Sequence, residues 1–129
     1  MNILMFYDGT EQSMDALDLV KKHAKAFLAH VDIISSMRRG GEHELGDIDR
    51  REDGLDFIRD TLEKEHIPCD SHLIIQGHAA GEDIVKFAGD KKIDEIIIGT
   101  EKLSRVGKFL LGPVAQHVII HAPCPVVIV

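Results

Sequence analysis

The stretch Ile96-Ile97-Ile98-Gly99-Thr100-Glu101-Lys102-Leu103-Ser104-Arg105-Val106-Gly107-Lys108-Phe109-Leu110-Leu111-Gly112-Pro113 decides how the chain is read. Three β-branched residues in a row predict a strand buried on both faces, as in a parallel sheet. Gly99 ends that strand. A basic, glycine-containing loop then runs to Gly112-Pro113, and Pro113 suits the first residue of a helix. Strand, loop and helix start in this order make an anion site, where free N–H groups and the positive end of the helix dipole converge.

Outward from this stretch the same alternation repeats. Ile3 to Tyr7 is the first expected strand, ended by Asp8-Gly9-Thr10, with Thr10 as the N-cap of a helix. Leu17, Val20, Ala24, Phe27 and Leu28 recur at helical spacing and form its apolar stripe. His30 to Ser35 is the second strand. A loop through Arg38-Arg39-Gly40-Gly41 leads into a helix whose Ile48, Leu55, Ile58 and Leu62 share a face and which Pro68 stops. From Arg38 to Glu65 ten acids face six bases, which reads as a solvated helix surface. Ser71 to Gln76, Asp94 to Ile98 and Val126 to Val129 complete five strands. Helices over Ala79 to Ala88 and Val114 to Ala122 separate them, and Thr100 to Leu111 is expected to be irregular. Strands alternating with helices imply an α/β fold, one parallel sheet covered on both faces by right-handed crossovers.

The 129 residues suit one domain spanning 1–129, with 44% apolar and 29% charged residues. Twenty-two acids against 15 bases give a formal charge of −7, which argues against nucleic acid and anionic membranes as partners. Lys102, Arg105 and Lys108 still make a local basic patch. The only cysteines, Cys69 and Cys124, form no C-x-x-C pair, and no apolar run approaches the roughly 20 residues of a membrane span. The apolar start, Met1 to Phe6, is too short for a signal peptide, so a cytoplasmic location is expected.

Ligands of open parallel sheets sit beyond the carboxyl ends of the strands, where strand order reverses. With the first and fourth strands adjacent there, Asp8 and Gly99 face each other across the crevice. Asp8 is suited to an amine, a ribose hydroxyl or a metal, or else to bonding its own turn. Gly99 permits close backbone approach. His117 and His121, four apart, have helical metal-binding spacing but no third ligand, so they read as surface or satisfied histidines. Cys69 reads as buried and inert. No nucleophile, base and orienting acid are spaced for hydrolysis.

Several segments then resemble one family. The opening Ile3-Leu4-Met5-Phe6-Tyr7-Asp8-Gly9-Thr10-Glu11 with Ser13 is similar to the start of universal stress proteins. So are Gly77-His78-Ala79-Ala80-Gly81-Glu82-Asp83-Ile84, Ile97-Ile98-Gly99 through Gly112, and the final Ala122-Pro123-Cys124-Pro125-Val126-Val127-Ile128-Val129. The resemblance implies a doubly wound five-stranded sheet in the order 3-2-1-4-5, an adenine nucleotide alpha hydrolase-like architecture. It implies a stress-response binding protein and a homodimer through Val126 to Val129, whose bare apolar edge invites pairing. An unknown protein partner is also compatible with this class.

Some members of the family bind ATP through glycine, two residues, glycine, nine residues, then glycine and a hydroxyl residue. Here Gly99 and Gly112 keep the outer positions, while Lys102 replaces the middle glycine and Pro113 the hydroxyl residue. Proline offers neither N–H nor hydroxyl, and two lost charged hydrogen bonds cost roughly 3–5 kcal/mol. Lys102 and Arg105 can return part of this as point charges. The resemblance therefore implies weak binding of ATP or another adenine nucleotide, with Asp8 toward the base or ribose and Gly99, Lys102, Arg105 and Gly112 along the phosphates. The alternatives are an interaction module whose crevice is closed by its own loop, and a slow phosphohydrolase.

Overall fold

The computed structural model describes residues 1–38, 45–76, 78–100, 102–105 and 108–129, with the backbone only at 45, 76, 102–105 and 108–110. Strand β1 (Asn2–Phe6) leads into the short α1 (Glu11–Met14) and then α2 (Ala16–Phe27). Next come β2 (His30–Arg38), α3 (Leu45–Lys64), β3 (Cys69–Gln76), α4 (Ala80–Asp90) and β4 (Glu95–Ile98). The strands β5 (Lys102–Arg105) and β6 (Lys108–Leu111), α5 (Pro113–His121) and β7 (Val126–Ile128) complete the chain. Five strands form one parallel sheet in the order β3-β2-β1-β4-β7. This is the expected 3-2-1-4-5 order, with β7 as the fifth strand.

Alternation along the strands divides the core in two. Ile3, Met5, Val31, Ile33 and Ile97 point toward α2 and α3 and pack with Leu17, Val20, Leu55, Ile58 and Leu62. Leu4, Phe6, Ile34, Ile96 and Ile98 point the other way, onto Ile84 and Ala88 of α4 and Val118 of α5. Every one of these side chains is buried. Two-sided burial is why the strands read as continuous apolar runs.

Three expectations need correction. Thr100 to Leu111 is not irregular throughout, because β5 and β6 pair antiparallel, with Lys102 opposite Leu111 and Arg105 opposite Lys108. The apolar stripe of α2 stops at Ala24: Phe27 is 54% exposed and Leu28 90% exposed. Leu28 sits in the left-handed conformation, φ 52°, as the residue that ends the helix. The next residue, Ala29, donates its N–H back to the Ala24 carbonyl at 2.9 Å and is itself buried. Helical spacing thus continued past the last residue with helical geometry. Third, α3 ends at Lys64, before Pro68 can act. His66 turns left-handed, φ 61°, and the Ile67 N–H bonds the Leu62 carbonyl at 3.0 Å. Lys92, φ 51°, with the buried Ile93 bonding Ala88, repeats the motif after α4. Each is a Schellman-type closure built without glycine.

Smaller shifts are of boundary. The expected first helix is divided at Asp15, and β2 runs three residues beyond Ser35. Pro113 does open α5, at its first turn. Arg39, Gly40 and Gly41 of the expected loop lie outside the described residues. Among the described residues, no helix is long and apolar enough to cross a membrane.

Candidate functional site

The sheet order reverses between β1 and β4, whose register pairs Phe6 with Ile98. The turns that follow these two strands therefore open side by side. Asp8 leaves β1 and enters a tight turn: its Oδ1 accepts from the Thr10 N–H at 2.9 Å and the Thr10 hydroxyl at 2.5 Å. Its backbone N–H donates to Ser13 Oγ at 3.3 Å. Thr10 caps α1 as expected, its Oγ1 accepting from the Ser13 N–H at 3.2 Å. The Asp8 carboxylate thus does bond its own turn. Both of those bonds fall on Oδ1, and Oδ2 accepts from no described residue.

Gly99 follows β4 and meets the chain itself. A Cβ there would collide with the Gln12 carbonyl oxygen and lie 3.0 Å from Gln12 C and 3.1 Å from Ser13 Cα. Bare backbone at this point lets α1 lie against the end of β4. Gly112 is the N-cap of α5 and has no side chain to bond the helix start; a Cβ on it would come within 3.3 Å of Thr100 Oγ1. The first bond inside α5 runs from the Gln116 N–H to the Gly112 carbonyl at 3.1 Å. The Val114 and Ala115 N–H groups precede it and have no helical partner.

These pieces enclose a pit of about 190 Å³ lined by Asp8, Thr10, Gln12, Thr100, Gly112, Pro113 and Val114. Asp8 and Gly112, two of the residues singled out from sequence, meet there. Lys102 and Arg105 lie on β5, and their side chains lie outside the described part of the structure. Gln12, Thr100 and Val114 were missed by sequence reading. Gln12 comes in through its contact with Gly99, and Thr100 and Val114 through the approach of Thr100 to Gly112 at the start of α5.

A larger hollow, about 330 Å³, adjoins the pit and shares Asp8 and Thr10 with it. Tyr7, Gly9, Met37, Asp47, Arg50 and Arg51 supply the rest. Arg51 reaches back from α3, its Nη1 donating to Ser35 Oγ at 2.8 Å and to the Ser36 carbonyl at 3.4 Å. Ser35 is buried and donates in turn to the Tyr7 carbonyl at 2.5 Å. A guanidinium is therefore held at the carboxyl ends of β1 and β2. Nothing in the helical pattern of α3 set Arg51 apart from the other charges of its surface.

Of the remaining candidates, His117 lines a separate hollow that shares Pro113 and Val114 with the pit. His117 packs over Gly81, where a Cβ would stand 2.9 Å from its ring, and lies 4.4 Å from the His121 ring. Cys69 is half-buried rather than buried, and loss of solvent pushes its thiol up to about 11. That suits an inert thiol.

Comparison with known proteins places the fold in a family. The family model described as the universal stress protein family matches residues 1–129. A universal stress protein of Thermus aquaticus is 31% identical, over 98% of this chain and 96% of its own length. The structure of the universal stress protein of Archaeoglobus fulgidus superposes with a TM-score of 0.85 at 27% identity, covering 99% of this chain and 92% of that one. A structure of the Archaeoglobus fulgidus universal stress protein in complex with dAMP gives 0.80 at 26% identity, covering 99% and 96%. The chain belongs to the universal stress protein family.

Proposed function

We propose that this chain is a regulatory binding protein of the stress response that holds an adenine nucleotide weakly in the crevice between β1 and β4. The observation that carries this reading is the shared wall of the two hollows. Asp8 and Thr10 line both, so one ligand can place its nucleoside in the larger space and its phosphate in the pit. Asp8 Oδ2 is directed to a ribose hydroxyl or an exocyclic amine. The phosphate faces the Val114 and Ala115 N–H groups at the positive end of α5. Gly112 lies along it, and we assign Lys102 and Arg105 of β5 to it as cations; Gly99, expected there too, packs against Gln12 and does not line the pit. The dAMP complex of a relative 26% identical supports this class of ligand.

Pro113 at the helix start removes one N–H and the hydroxyl, so affinity is modest, with Kd in the range of about 0.01–1 mM. Calorimetric titration with AMP, dAMP and ATP, with and without magnesium, tests this. Asp8→Ala should weaken binding about tenfold or more, and the Lys102→Gly, Pro113→Ser double variant should strengthen ATP binding. No heat with any adenine nucleotide near about 5 mM overturns the reading. It then leaves the non-nucleotide interaction module, which the Asp8–Thr10 bonds favour because they occupy Oδ1.

We also propose a homodimer through β7. This strand ends the sheet, with β4 as its only described partner. The Pro125 carbonyl and the Val129 N–H bond toward β4, so parallel alternation turns the groups of Val126 and Ile128 outward. An isologous antiparallel pairing would satisfy them. Sedimentation at micromolar concentration should show a dimer, and Ile128→Pro, which lacks the outward N–H, should show a monomer. A wild-type monomer overturns this. The protein acts in the cytoplasm on this reading, where two free cysteines suit the reducing conditions.

A further inference from the structure

At the other end of the sheet, four chemistry-bearing side chains meet. His30 and Asp32 lie two apart on β2, and Asp70 and His72 two apart on β3, so all four project from the α4 face. The parallel register sets Asp32 opposite Asp70. His30 Nε2 is 2.9 Å from Asp70 Oδ2, and its Nδ1 is 3.6 Å from Asp32 Oδ2. His72 Nε2 is 3.0 Å from Asp32 Oδ1, and its ring rests 5.2 Å from that of Phe87. One ligand atom from each of His30, Asp32 and Asp70 lies within 4.8 Å of the others. None of the four belongs to the crevice, which opens at the strands' carboxyl ends.

We propose that His30, Asp32 and Asp70 bind a divalent transition-metal ion of the zinc class, with His72 holding Asp32 in place. Two arguments carry this. The first is charge. The Asp32 side chain is only 11% exposed, yet no Lys or Arg pairs with it or with Asp70 among the described residues; their ion-pair partners are histidines. Two carboxylates that meet no described Lys or Arg make a pair that a dication neutralises, and the imidazole nitrogen beside them is a ligand suited to zinc. The second is geometry. Zinc takes His nitrogen and Asp oxygen at about 2.0–2.2 Å, which sets ligand atoms about 3.3–3.5 Å apart around a tetrahedron. The candidate ligand atoms, one from each residue, lie within 4.8 Å of one another, so the three side chains close on an ion by rotating inward. Asp70 is 67% exposed, which gives an ion a way in and leaves a fourth position for water. His72 on the far oxygen of Asp32 is the outer partner that orients a ligating carboxylate.

Zinc chloride titrated into chelator-stripped protein at pH 7.5, followed by calorimetry, tests this. One ion per chain is expected. Cobalt should give a visible d–d spectrum without a thiolate charge-transfer band. His30→Gln and Asp32→Asn should each weaken zinc binding more than about a hundredfold, and His72→Gln by about 10–100-fold. His30 is 34% exposed, so glutamine there leaves the core untouched. A double His117→Gln, His121→Gln variant should bind as the wild type does. Wild-type affinity weaker than about 0.1 mM overturns the proposal. So does binding that survives His30→Gln but is lost in the His117, His121 variant.

Discussion

Replacing Gly99 by alanine separates two reasons for a glycine at the end of β4. If its bareness serves only a ligand, the nucleotide-free protein should not notice a methyl group. The contacts say otherwise. The added Cβ would stand 3.0 Å from Gln12 C and 3.1 Å from Ser13 Cα, and closer still to the Gln12 carbonyl oxygen. Carbon needs about 3.3 Å or more from such an oxygen, so α1 must retreat by on the order of 1 Å. The turn resists: Thr10 caps α1, Ser13 Oγ bonds the Thr10 carbonyl at 2.8 Å, and the Asp8 N–H bonds Ser13 Oγ. Forced backbone shifts of this kind cost about 1–3 kcal/mol. For a domain of this size each kcal/mol moves Tm by roughly 3–6 °C, so Gly99→Ala should melt about 3–18 °C lower. Scanning calorimetry without ligand reads this directly. Gly89→Ala is the control, since a Cβ there meets nothing within 4 Å and alanine is the better helix former. It should gain about 0.5–1 kcal/mol. A Gly99→Ala protein melting within a degree of wild type would refute the packing argument.

Leu28→Gly should stabilise the protein by about 1 kcal/mol, because it relieves a left-handed leucine at an exposed helix end; an unchanged or lower urea midpoint counts against this. Thr10→Ala removes both the α1 cap and the hydroxyl on Asp8, and should cost about 0.5–2 kcal/mol in urea unfolding. Cys69 should alkylate slowly at pH 8 in a Cys124→Ser background, its rate rising toward a midpoint near 11, because burial favours the neutral thiol. The sign for stability follows: this raised value helps the fold below the thiol's ordinary range, and the help fades as pH climbs through about 11. A labelling midpoint near 9 contradicts it.

The strands were legible because two-sided burial writes itself as Ile96-Ile97-Ile98 and Ile3-Leu4-Met5-Phe6. Helix ends were harder. Leu28, His66 and Lys92 close their helices in a conformation that glycine usually marks, so composition hid them. The β5–β6 pairing was hidden too, since the four-residue strands Lys102-Leu103-Ser104-Arg105 and Lys108-Phe109-Leu110-Leu111 are too short to write a period. Of the site, Asp8 and Gly112 could be found by sequence spacing because a turn and a helix start have local signals. Arg51 could not, because its role depends on Ser35 and Ser36 of another element. The His30-x-Asp32 and Asp70-x-His72 alternations were visible in sequence. Only the register of β2 with β3 makes them one group.

The paired strands β5 and β6 leave the sheet after Thr100 and return at Gly112, where the two residues nearly touch. An excursion that departs and arrives at one spot is mechanically self-contained. Its length and chemistry can drift over generations without moving the strand behind it or the helix ahead of it. Selection can thus rewrite this one excursion while the fold that carries it keeps its shape.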